Sequence, residues 1–201
     1  MLAMQIKTIF LDVDEVLAQW VVAALRTLDY FGAHVDFDPC LQPDAVFARW
    51  DRLTPRPWDV CEVIPYTREQ LWDAIHSRGA AFWSGLEPFP WAMDLYQRCS
   101  AVAPVVLLTS PSRDPSSYAG KAAWVKRHFP DAEHLIGSCK HRVAHPSAVL
   151  IDDSPKNCAA FIEAGGHAIV FPGIGNILHA VPGDERVAHV ARTLGIIAGD
   201  A

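Results

Sequence analysis

The sequence predicts an α/β fold: a Rossmann-like, three-layer core on a parallel sheet, with a small, mainly helical cap inserted after the first strand. Three observations carry this. Short apolar runs alternate with helix-like segments from residue 104 onward. Such alternation builds parallel sheets covered by helices on both faces. The apolar run at 5–11 ends on two aspartates, Asp12 and Asp14. Between these regions lies a stretch of different texture, rich in proline and aromatics. The expected division is a core of 1–17 and 87–201 with a cap of 18–86.

Taken in order, residues 5–11 read as a buried strand, apolar and β-branched at Ile6, Thr8 and Ile9. The following helix places Leu17, Trp20, Val21, Ala24, Leu25 and Leu28 at helical spacing, with Gly32 as its stop. Residues 33–66 hold five prolines and no sustained period, and read as irregular. Thr67 then caps a helix, with Gln70 in the capping-box position and Gly79 at its end. Another helix starts near Pro90. Strands are expected at 104–109, 134–138, 147–152 and 167–171, with helices at 120–129 and after Ser154, where Pro155 suits the first helical position. A terminal helix is expected around 185–193.

About half of the 201 residues are apolar, enough for a sizeable core, and the net charge is −6 without a block of like charges. A basic stripe of the kind nucleic-acid binders carry is missing, so no nucleic-acid partner is expected. The five cysteines follow no CxxC or framework spacing and read as free thiols of a reducing compartment. The start resembles no signal peptide and no apolar run approaches a membrane span. A cytoplasmic protein without a membrane partner is expected.

The chemistry gathers at strand ends. The first strand closes on Asp12 and Asp14, the second on Thr109 and Ser110, the fourth on Asp152 and Asp153, while Lys140 lies between the third and fourth. In a parallel sheet these ends share one edge. Four carboxylates beside one amine suit a hard cation with oxygen ligands, magnesium rather than zinc. An aspartate can attack phosphorus, hydroxyl and ammonium groups can hold phosphate oxygens, and a second acid can protonate the leaving oxygen. Each feature alone has a plainer explanation: a DxD pair is commonly a solvated turn, Asp152 or Asp153 can cap a helix, and a loop lysine is ordinarily a surface charge. Their order along the chain favours the joint reading.

The ordered set "DVDEV", "LLTS", Lys140 and "IDD" resembles the four motifs of the haloacid dehalogenase superfamily of phosphotransferases, across residues 5–17 and roughly 86–171. The resemblance implies Asp12 as nucleophile, Asp14 as general acid/base, Thr109 on the phosphoryl group and Lys140 steadying both. It implies Mg²⁺ held by Asp12, the Asp14 carbonyl and Asp152, with Asp153 in support. "TSPSR", "GKAAWVKRHF" and "LEPFP" look like the 5′(3′)-deoxyribonucleotidase branch. That branch implies phosphate contacts from Ser110, Arg113 and Lys121, base contacts from Trp20, Phe82 and Trp83, and a homodimer as in related enzymes. Trp20 on its apolar stripe would otherwise read as a core residue. The chain departs from the branch at Glu15, where glycine is usual, in the spacing from Lys140 to Asp152, and across 33–66.

The function expected is therefore magnesium-dependent removal of phosphate from a nucleoside monophosphate through an aspartyl-phosphate. The alternatives are a phosphatase of the same core acting on a sugar phosphate or other small phosphomonoester, and a non-catalytic nucleotide-binding module. A response-regulator receiver shares the acid pair and Thr/Ser–Lys set, but its phosphorylated aspartate comes at a later strand.

Overall fold

The computed structural model describes residues 5–31 and 39–199. Five strands, β1 (Thr8–Leu11), β2 (Val105–Thr109), β3 (Glu133–Ile136), β4 (Ala148–Asp152) and β5 (His167–Val170), form one sheet in the order β3-β2-β1-β4-β5. Every pairing is parallel, and Leu11 faces Leu107 on one side and Ile151 on the other. The chain leaves central β1 for β2 on one flank and later returns to β4 on the other. Strand order thus reverses at β1, where open parallel sheets form a crevice beyond their carboxyl ends.

Alternate residues of each strand serve opposite faces of the sheet. Ile9, Leu11, Leu107, Val149 and Ile151 join the larger core; Phe10, Leu108 and Leu150 join a smaller one closed by Phe161. Phe161 comes from α7 (Pro155–Glu163), which packs along β4 and β5. The larger core is covered by α5 (Ala92–Val102), with α8 (Gly183–Ala198) behind it, while α6 (Ser116–His128) flanks β3. Burial on both faces explains why the strands read as apolar runs rather than alternating patterns.

Between β1 and α5 the chain forms α1 (Trp20–Phe31), α2 (Pro43–Trp50), α3 (Arg68–Arg78) and α4 (Ala80–Ser84). The α3 capping box is complete: Thr67 Oγ accepts from the Gln70 amide, and the Gln70 side chain accepts from the Thr67 amide. Gly79 turns the chain at φ 52°, a region favouring glycine. α4 then packs on α6 so closely that a Cβ on Gly120 would sit 2.5 Å from both Ala80 O and Trp83 Cβ.

Several expectations shift. The stretch expected to be irregular contains α2 and short 3₁₀ turns at Pro39–Leu41 and Val60–Glu62. Pro43 starts α2 because its missing N–H is unneeded in a first turn; only Val46 and Trp50 of α2 are buried, too few to reveal a period. α6 begins at Ser116, well before residue 120, because Asp114 accepts from the Ser116 amide at 3.0 Å and supports the first turn. α4 was not anticipated, and α8 is longer at both ends. The expected stop at Gly32 lies outside the described residues.

Candidate active site

Asp12 follows β1 directly, and its backbone N–H donates to Ile151 O at 2.9 Å, carrying the sheet register one step beyond the strand. Its carboxylate is turned back by a 2.8 Å bond from the Val13 amide. Asp152 closes β4, fully buried. The Ser154 amide donates to its Oδ1 at 2.9 Å, and Asn157 Nδ2 reaches both its oxygens at 3.1 Å. Both donors come from the start of α7, so a helix N-terminus faces the carboxylate, a favourable placement for negative charge. Asp153 is also buried, with its carbonyl held by Asn176 Nδ2 at 2.8 Å.

Lys140 joins the two strand ends. It is 3% exposed, yet its Nζ lies 2.6 Å from Asp12 Oδ1 and 2.6 Å from Asp152 Oδ2. A 3₁₀ turn, Lys140–Val143, packs against α7 and delivers it. A second buried ammonium, Lys121 of α6, donates to Asp14 Oδ2 and, at 3.0 Å, to Thr109 Oγ1. Its Nζ lies 4.6 Å from the centre of the Trp83 ring, whose face favours a cation. Thr109 is fully buried at the end of β2.

One oxygen from each of Asp12, Asp152 and Asp153 falls within 4.8 Å of the others. Three buried carboxylates around one ammonium leave two negative charges uncompensated. The electrostatics register this: burial first, then the Asp152 and Asp14 charges, outweigh Lys140 and push the Asp12 carboxyl up to about 7. Asp153 is pushed well above the usual carboxylate range by burial and by Asp12. For Lys140 burial opposes the charge, but Asp12 and Asp152 prevail and raise its pKa. An all-oxygen donor set with excess negative charge fits a hard divalent cation such as Mg²⁺. Asp14 Oδ1 is also buried without a partner.

The carboxylates open into a cavity of about 260 Å³ lined by Asp12, Asp14, Ser110, Lys140, Asp153 and Asn157, among others. Glu15, Trp20 and Trp58 line both this cavity and an adjoining one of about 390 Å³, which continues to Trp50, Leu71 and Trp72. Glu15 occupies φ 58°, an uncommon conformation for a side-chain-bearing residue. Its Oε1 accepts from the Val21 amide at 2.8 Å, bracing the start of α1, and burial pushes its carboxyl up to about 7. Trp58 rests on the loop after β5, where a Cβ on Gly175 would lie 3.0 Å from the indole. Arg56 Nε donates to Ile174 O at 2.5 Å and ties the same two segments.

Asp12, Asp14, Thr109, Ser110, Lys121, Lys140, Asp152 and Asp153 are thus brought together as the sequence predicts, and Trp20 stands at the cavity wall. Lys121 is buried and bridges two site residues, Asp14 and Thr109. Phe82 and Trp83 go elsewhere: both are buried, edge-on to each other at 5.0 Å, and neither lines the two joined cavities. Phe82 instead backs Trp20 at 6.4 Å. These two fall on α4, whose tight packing on α6 turns them inward. Arg113 is exposed and lines neither of these two cavities but a third cleft beside them. Sequence reasoning missed Trp72 and Asn157. Trp72 occurs one turn after Arg68 inside a helix with little amphipathic contrast; Asn157, in the first turn after "DD", is a recognisable position for a donor to the preceding strand end.

Among the described residues no helix is long and apolar enough to cross a membrane, and no disulfide joins the five cysteines. A search among curated proteins found no match. Solved structures share the fold. A haloacid dehalogenase-like hydrolase from Streptococcus pneumoniae is 19% identical, with 94% of this chain and 99% of that one covered at TM-score 0.57. One from Xanthomonas campestris is 16% identical over 98% and 95% at 0.54. YfnB from Bacillus subtilis, solved with magnesium, is 14% identical over 82% and 86% at 0.51. The model of the family described as "5' nucleotidase, deoxy (Pyrimidine), cytosolic type C protein" matches residues 5–197. The chain therefore belongs to that 5′-nucleotidase family and is a phosphatase of the haloacid dehalogenase type.

Proposed function

We propose that the protein is a magnesium-dependent 5′-nucleotidase acting on ribo- or deoxyribonucleoside monophosphates through an aspartyl-phosphate on Asp12. The observation that carries the substrate class is the continuity of the two cavities: a site fit for phosphate opens directly onto walls of Trp20, Trp58 and Trp72. A planar base can stack on such walls while its phosphate reaches the carboxylates. In this reading residues 18–86 act as the cap that supplies the aromatic walls, and Trp20 is a base contact.

Asp12, the backbone carbonyl of Asp14, Asp152 and Asp153 would hold the ion, whose charge, when bound, screens the phosphate from the attacking carboxylate. Asp12 donates the electron pair to phosphorus, breaking the bond to the leaving oxygen. Thr109 and Ser110 hold phosphoryl oxygens, and Lys140 fixes the Asp12 carboxylate against Asp152. Asp14 delivers the proton to the leaving oxygen and then takes one from water for hydrolysis of the acyl phosphate. Lys121 donates to Asp14 Oδ2 and steadies the carboxylate for this transfer.

A panel of nucleoside monophosphates and sugar phosphates tests the reading. Nucleotides should be preferred, and Trp20→Ala should raise KM for them about 10-fold or more, the scale of one lost base–aromatic stack. Preference for sugar phosphates with indifference to Trp20→Ala would favour the sugar-phosphatase alternative.

A further inference from the structure

A third cleft, of about 550 Å³, lies between α3 and the loop after β2, lined by Arg68, Trp72, His76, Pro111, Ser112 and Arg113. Arg68, Trp72 and His76 recur every fourth residue and form one stripe on α3. The lining holds two guanidinium groups and an imidazole and no acid, in a chain of net charge −6. Two acids lie beside this lining, and one of them, Asp59, already pairs with Arg68, which leaves Arg113 as the cleft's uncompensated guanidinium. The other, Asp114, accepts from the Ser116 amide and hydroxyl at 3.0 and 2.6 Å. Arg113 makes no hydrogen bond or ion pair among the described residues.

The cleft is joined to the rest of the site at two points. Arg68 and Trp72 also line the aromatic cavity. Ser112 and Arg113 follow Ser110, which lines the carboxylate cavity, along the same loop. Arg113 stands three residues after Ser110, a span of about 11 Å at most, which covers one sugar ring with its substituents. A nucleotide with one phosphate at Asp12 and its base among the tryptophans can then bring its remaining sugar hydroxyl within reach of this basic lip.

We propose that the Arg68–His76–Arg113 cleft is a subsite for a second phosphate, and that a nucleoside 3′,5′-bisphosphate is a better substrate than the monophosphate. This rests on the nucleotide reading above. One phosphate is transferred to Asp12 and released by water as inorganic phosphate; the other stays on the sugar, held by charge-assisted bonds from Arg113, beside Arg68, which keeps its bond to Asp59.

The test compares kcat/KM for a 5′-monophosphate and the 3′,5′-bisphosphate of the same nucleoside, at low and high salt. Wild type should favour the bisphosphate about 10-fold at low salt, and less at high salt because the groups are exposed. Arg113→Ala should bring the ratio close to one, and Arg113→Lys should restore part of it. A wild-type ratio below about 3, or a ratio unchanged in Arg113→Ala, overturns the subsite while leaving the nucleotidase reading standing. Hydrolysis of sugar phosphates but of neither nucleotide removes that reading, and the subsite with it.

Discussion

At the scale of single residues the site is a problem of charge placement. Lys140 is buried between Asp12 and Asp152, so removing one member leaves another uncompensated, ordinarily a loss of several kcal/mol. Lys140→Met should therefore lower the melting temperature measurably as well as abolish turnover. Lys121→Met should act differently: it strips Asp14 and Thr109 of their shared donor. We expect kcat to drop about 100-fold, the scale of losing one placed proton-transfer group, with the smaller change in KM; steady-state kinetics on p-nitrophenyl phosphate read both. The convergence of the aspartates was legible in the sequence, because strand ends in a parallel sheet meet along one edge wherever the helices go. The partners of those aspartates were less so. Nothing in the spacing of Lys121 from Asp14 announces their contact, which exists because α6 lies against α4 and points its lysine under the strand ends.

At the scale of elements, close packing of α4 on α6 sets the position of Lys121. Gly120 precedes that lysine, and an added methyl would meet the Ala80 carbonyl and Trp83 at 2.5 Å. Gly120→Ala should destabilise the protein by about 1–3 kcal/mol through overpacking, readable as a lower urea midpoint. The same packing explains why Phe82 and Trp83 lie away from the two joined cavities: an aromatic pair on a five-residue helix can face a cleft or a core, and the Gly120 contact draws it inward. On the opposite wall, Trp58 is 49% exposed and held by Gly175 and the Arg56–Ile174 bond. The sequence of 33–66 shows aromatics without a period, so its contribution to the cleft emerges only from contacts made more than a hundred residues away.

At the scale of the whole molecule, surplus buried acidity couples stability to pH and to cation. Asp12 and Glu15 both titrate near 7 in the folded chain, against the ordinary carboxylate range when unfolded. Between those values the folded state binds more protons than the unfolded state, so stability falls as pH rises through this window. Chelator-treated protein should accordingly melt at a lower temperature at pH 8 than at pH 5, and Mg²⁺ should raise the melting temperature more at pH 8. Equal melting at both pH values would contradict the charge balance described. The parallel sheet and its polar edge were readable from alternation and strand-end residues, whereas the three joined clefts depend on how α1, α3 and the loop after β5 meet. Phosphate release from a nucleoside monophosphate, with Mg²⁺ or with chelator, by wild type and by Asp12→Asn is the most direct measurement. Release only by wild type with Mg²⁺, and a loss of at least about 1,000-fold in a folded Asp12→Asn protein, is the predicted result. Undiminished release by Asp12→Asn, or by wild type in chelator, would contradict it.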